Sequence, residues 1–181
     1  MSVYIPGELI AFATFPGVIL HEISHRFFCD IANVKVYDIN YFEPLSTKAG
    51  HVIHEPTNNF FSVFFISMGP LIINSLVCMI LTIPAGSLYY LETEFMGYSP
   101  WFMTPAYYVL KWIGYSIGFH AMPSNQDMSN LEKIAQSNSA KVLAAILSGI
   151  VAFFNVPYLG FFLKLIFTYG LALILPMIFL G

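Results

Sequence analysis

His21-Glu22-Ile23-Ser24-His25 sets two imidazoles four residues apart, with a carboxylate beside the first. On a helix, residues at i and i+4 project from one face, so both rings can reach a single ion. Glu22, one position round the helix, is turned off that axis. It avoids ligation yet stays close enough to take a proton from water activated by the ion and hand it to a leaving amine. The chemistry of such a set is metal-assisted hydrolysis, with zinc as the ion this pattern suits. The plainer reading is an accidental match among polar residues at a helix end. Against it stands the apolar stretch that precedes them, since an ionisable side chain inside a spanning helix costs about 2.5–3.5 kcal/mol on insertion scales and usually marks function.

A catalytic zinc takes three protein ligands and leaves one position for water. Cys29 shares a helical face with His25, but eight residues separate it from His21, about 12 Å along the axis. Bonds of about 2.0–2.3 Å cannot span that gap, which removes Cys29 as third ligand. Glu43, His51, His54 and Glu55 follow in a polar stretch where solvated loop side chains are the ordinary expectation. Asp127 comes after Pro123, a residue able to turn the chain back toward the bundle. As an isolated carboxylate it reads equally as a metal ligand and as a helix-cap or loop residue.

The elements that must hold these residues are apolar. Hydrophobic residues make up 57% of the 181, charged residues 9%, and the mean hydropathy is +0.72. A water-facing surface calls for roughly a quarter charged residues, so lipid is the expected solvent and the bilayer an expected partner. Residues 6–31, 59–83, 105–122, 142–156 and 158–180 read as about five transmembrane helices. The second is expected to kink or break at Gly69-Pro70. Residues 33–55 alternate loosely and contain turn residues, as a small β-hairpin insertion does. Residues 84–104 read as a loop with an aromatic interfacial piece around Trp101, and 123–141 as a polar segment outside the hydrocarbon. The Gly114/Gly118 spacing suits close helix packing. The fold class expected is an all-α polytopic membrane protein forming one domain over residues 1–181.

Arg26, Lys35, Lys48, Lys133 and Lys141 fall after the first and third spans, while residues 84–104 hold no Lys or Arg. The positive-inside rule therefore puts the ends of both spans, and the site with them, on the cytoplasmic side, as in a cell-membrane protein. A net charge of -3 without a basic cluster excludes nucleic acid as a partner. Cys29 and Cys78 sit in apolar stretches and read as buried free thiols. No positively charged region precedes the first apolar run and no small-residue cleavage site follows it, so a removable signal peptide is not expected.

Three stretches carry a resemblance to the site-2 protease family of intramembrane zinc metalloproteases and to its compact zincin-type relatives. They are His21-Glu22-Ile23-Ser24-His25, Gly69-Pro70-Leu71-Ile72-Ile73-Asn74, and the proline-then-aspartate segment Pro123 to Asp127. The resemblance covers residues 17–127. It implies that His21, His25 and Asp127 bind Zn2+ and that Glu22 acts as base. The family's segment ending Leu-Asp-Gly is replaced here by His120 to Asp127, with Gln126 before the aspartate and Met128 after it. His120 therefore stands as an alternative ligand, or as a group that supports the ligands and stabilises an oxyanion. Asn74 is a candidate for positioning substrate, with helix packing as its other role. The function expected is zinc-dependent endopeptidase cleavage of a membrane-protein or peptide substrate in or beside a transmembrane segment. A metal-binding membrane protein without protease activity, either a carrier or a pseudoenzyme scaffold, is the alternative. A carrier distributes ionisable residues along a path through several spans, whereas here they gather at one end.

Overall fold

The structure, a computed structural model, describes residues 6–46, 48–94 and 103–180. Among these residues the chain forms seven helices and one two-stranded sheet. Helix α1 (Gly7–Ala13) and helix α2 (Phe15–Ile31) are separated at Thr14, whose φ of -118° leaves the helical range. Pro16 explains the break: it has no amide for the carbonyl four residues back, and it disfavours a helical conformation in the residue before it. At the far end of α2, Asn33 takes a left-handed φ of 53° and the Val34 amide donates to the Cys29 carbonyl at 2.9 Å. This closes the helix in the manner usual for Gly or Asn and turns the chain into the sheet.

Strands β1 (Val36–Asn40) and β2 (His51–His54) pair antiparallel, with Asn40 opposite His51 and Val36 opposite His54, and an irregularity between Val36 and Asp38. Helix α3 (Phe60–Glu94) runs through the centre of the molecule and packs against α2, α4 (Met103–Phe119), α5 (Asn125–Ile134) and α7 (Leu159–Leu180). Helix α6 (Asn138–Phe154) precedes α7 and meets it at a bend of 102°. Pro157, which cannot donate, and Tyr158 at φ 63° lie in that bend.

The expectation of about five transmembrane helices does not hold. Among the described residues one helix, α3 over Phe60–Thr82, is long and apolar enough to cross a membrane, with a mean hydropathy of 2.2. The number rises to two if the bent pair α6 and α7 forms one span. The remaining stretches fall short for reasons of backbone geometry. The first is cut at Thr14 into helices of 7 and 17 residues, and α4 also has 17. Seventeen residues rise about 26 Å, less than a hydrocarbon core of about 30 Å.

Two smaller expectations also change. Helix α3 continues through Gly69-Pro70 without a break, and it extends past Pro84 to Glu94 where a loop was expected. Each proline deletes one helical donor, and the bonded turns on either side keep the helix together. Trp101 lies outside the described residues. Within the polar segment 123–141, α5 buries Met128 and Leu131 in a core shared with Val63 and Met68 of α3 and Ala144 and Val151 of α6.

Close backbone approach brings α2 and α4 together. A Cβ at Gly17 would collide with the Ser116 carbonyl, so a larger residue there would push α4 away. At Gly118 a Cβ would come within 2.7 Å of Cys78 Sγ, which brings α4 against α3 as small residues at a helix interface do. Cys29 and Cys78 are buried free thiols. Helices α6 and α7 leave much of their apolar surface uncovered, including Val142, Ile146, Phe153, Phe162 and Ile166, the last 69% exposed.

Candidate metal centre

Helix α2 presents His21, Glu22 and His25 toward the hairpin, the middle of α3 and the start of α5. His21 is half-buried, while Glu22 and His25 are buried. Each imidazole meets a backbone carbonyl through Nδ1: His21 donates to His120 O at 2.7 Å, and His25 to Ile66 O at 2.8 Å. A carbonyl only accepts, so both Nδ1 atoms carry a ring proton, and in neutral rings both Nε2 atoms are left as lone pairs. Those two Nε2 atoms face each other at 3.2 Å. Two lone pairs do not hydrogen-bond, and the alternative, a charged ring, is opposed at His21 by burial and by the neighbouring His25, which lower its pKa to about 4.

Asp127 completes the set. It sits at the third position of α5, where the Ser124 amide and hydroxyl donate to its Oδ2 at 2.8 and 2.7 Å while its own amide donates to Ser124 Oγ. This reciprocal cap starts α5 and holds the carboxylate in place. The same Oδ2 is 3.7 Å from His25 Nε2. Ligand atoms of His21, His25 and Asp127 all lie within 4.8 Å of one another. Two neutral imidazole nitrogens and one carboxylate oxygen, crowded without donors among them, fit a divalent cation. Three such donors around one point can hold a metal ion.

Glu22 lies beside this set, and among the described residues no donor bonds to its carboxylate. Burial, reinforced by the negative charge of Asp127, pushes its pKa up to about 8. The hairpin closes over it: a Cβ on Gly50 would stand 2.7 Å from Glu22 Cγ and 3.1 Å from Asn40 O. Gly50 thus leaves the space that Glu22 occupies.

The other residues singled out from sequence fall elsewhere. The His120 side chain points away from the cluster, its Nε2 2.7 Å from Thr14 Oγ1, and burial lowers its pKa to about 3. It meets the site through its backbone carbonyl, the acceptor for His21. Asn74 does not face a substrate space. It is fully buried, receives the Ser24 hydroxyl at 3.1 Å, and donates to the carbonyls of Gly17, Ile117 and His120 at 3.2–3.4 Å. An amide so engaged ties α2, α3 and α4 together and has no group free for a peptide. In the hairpin, His51 bonds Asp38 at 2.9 Å and His54 bonds the Glu55 carbonyl at 2.9 Å, while Glu43 and Glu55 are exposed.

Sequence reasoning missed Ile66, Thr14 and Gly50. For Ile66 a signal existed, because Pro70 four residues later leaves that carbonyl without its helical donor. Thr14 and Gly50 reach the site through tertiary packing and carried no such signal. Set against protein-family models, curated proteins and solved structures, the chain finds no match in any of the three comparisons.

Proposed function

We propose that the chain is a zinc-dependent endopeptidase seated in a membrane, acting on peptide segments in or beside the bilayer. The observation that carries this reading is the convergence of His21 Nε2, His25 Nε2 and a carboxylate oxygen of Asp127 within 4.8 Å, with the buried Glu22 alongside. Likeness to the site-2 protease family in the motifs of α2 and α3 supports it, as does the order of site, hairpin, long apolar helix and aspartate. Membrane seating is supported by α3, which is long and apolar enough to cross, and by the exposed apolar faces of α6 and α7. Surfaces of that extent mark contact with lipid or with another protein. The basic residues near the ends of α2 and α5 favour the cytoplasmic side for the site.

His21, His25 and Asp127 would hold the ion. When bound, zinc supplies a Lewis acid that polarises water and the scissile carbonyl. Glu22 accepts a proton from the attacking water and delivers it to the departing amine nitrogen. The carbonyls of His120 and Ile66 fix the two rings so that Nε2 faces the ion. The hairpin against Glu22 limits access of bulk water to that carboxylate.

Replacement of Glu22 by Gln tests the assignment. The variant is expected to keep its zinc and to lose cleavage of a membrane-anchored peptide in liposomes by a factor of about 10²–10⁴. Cleavage at the wild-type rate would remove Glu22 from the mechanism. A wild type that holds zinc and cleaves no peptide would favour a carrier or a scaffold.

A further inference from the structure

We infer that Pro70 is a positioning residue for the metal centre, acting through a backbone carbonyl that it sets free. The inference rests on the metal-centre reading proposed above. In an unbroken helix the amide of residue 70 donates to the carbonyl of residue 66. Proline has no amide hydrogen, so within α3 the Ile66 carbonyl lacks its regular donor. Ile66 is 3% exposed, and water is poorly placed to make good the loss. His25 Nδ1 stands 2.8 Å from that oxygen and fills the vacancy. The bond serves both partners. It satisfies the carbonyl, and it fixes the proton on Nδ1 so that Nε2 faces His21 Nε2 at 3.2 Å and Asp127 Oδ2 at 3.7 Å.

His21 is aimed in a parallel way. Its acceptor, His120 O, lies just past the end of α4 and also takes the Asn74 amide at 3.2 Å. Both imidazoles are therefore oriented by carbonyls outside regular helical bonding, one released by a proline and the other by a helix end. Gly69 has a separate part beside Pro70: a Cβ there would collide with the Phe28 ring, so its small size admits α3 close to α2. With alanine at position 70 the restored amide would compete for Ile66 O, and His25 would lose the partner that dictates its tautomer and angle.

The experiment is a zinc titration of metal-free wild type, Pro70→Ala and the neighbouring control Leu71→Ala in detergent, with the unfolding temperature of each. Pro70→Ala is expected to bind zinc about tenfold or more weakly. Its unfolding temperature is expected to stay level or rise, because alanine favours the helix interior that proline opposes. Leu71→Ala is expected to bind as wild type does. Equal affinity in Pro70→Ala and wild type overturns the inference, as does an affinity loss that merely follows a fall in unfolding temperature. Should Pro70→Ala fail to fold, nitrogen-15 spectra of the metal-free wild type decide: a His25 proton on Nδ1 supports the inference and one on Nε2 overturns it. Failure of the metal-centre reading gives a different result, a wild type that takes up no zinc at all.

Discussion

The half of the molecule around α2 and the middle of α3 differs in kind from the half formed by α6 and α7. In the first, side chains bond across helices: Ser24 to Asn74, Asn74 to three carbonyls of α2 and of the end of α4, His25 to Ile66, His21 to His120. In the second, the links named between elements are chiefly aromatic and apolar, apart from a small polar knot in which Asn155 bonds Pro123 O and Asn125, and Lys164 reaches Asn155 at 3.4 Å. Much of its apolar surface is uncovered. Directional bonds fix atoms to fractions of an ångström, as a metal site needs, whereas apolar contact fixes only an approximate packing. The two halves thus differ in what they provide: one holds geometry, the other leaves an open apolar surface.

Substitutions in the two halves test that division. The largest effect is expected at Asn74. Asn74→Ala removes the bonds to Ser24 and to the carbonyls of Gly17, Ile117 and His120, and at about 0.5–1.5 kcal/mol per bond it should lower stability by about 3 kcal/mol in denaturant titration in detergent. A loss under about 1 kcal/mol would mean that the crossing bonds are not what holds α2, α3 and α4 in register. Next is Ser124→Ala, which removes the Oγ that caps α5 and donates to Asp127 Oδ2, leaving only the backbone amide of that position on the carboxylate; a stability loss of about 1 kcal/mol is expected, with weaker zinc binding as the carboxylate gains freedom. Smallest is Ile166→Ala on the open face of α7, where a change within about 0.5 kcal/mol is expected. A loss of 2 kcal/mol or more at Ile166 would show that this face is covered by protein and would sharpen the contrast into one of partners.

How much of this was readable from the sequence follows the range of the interactions. His21, Glu22 and His25 were legible because their relation is local and set by helical periodicity alone. Asp127 was singled out through the family resemblance and not by spacing; its meeting with His25 depends on the turn after α4 and the Ser124 cap, which bring together residues a hundred positions apart. The hairpin was legible from the alternation in residues 33–55. The span count was not, because it turns on whether backbone stays straight. Pro16 and Pro157 interrupt otherwise apolar stretches and cut them, while Pro70 and Pro84 lie within a helix that carries on. At Pro70 the freed carbonyl is taken up by His25. Asn74 was singled out for its polarity in an apolar helix, and only its four partners reveal that it is committed to packing.

The most direct test of the metal centre is the zinc content of detergent-purified wild type, His21→Ala, Asp127→Ala and His120→Ala, each checked for folding. The expected result is one zinc per chain in wild type and in His120→Ala, whose backbone carbonyl is untouched by the substitution, and none in His21→Ala or Asp127→Ala. Zinc retained without Asp127 and lost without the His120 side chain, or no zinc in wild type, would contradict the account.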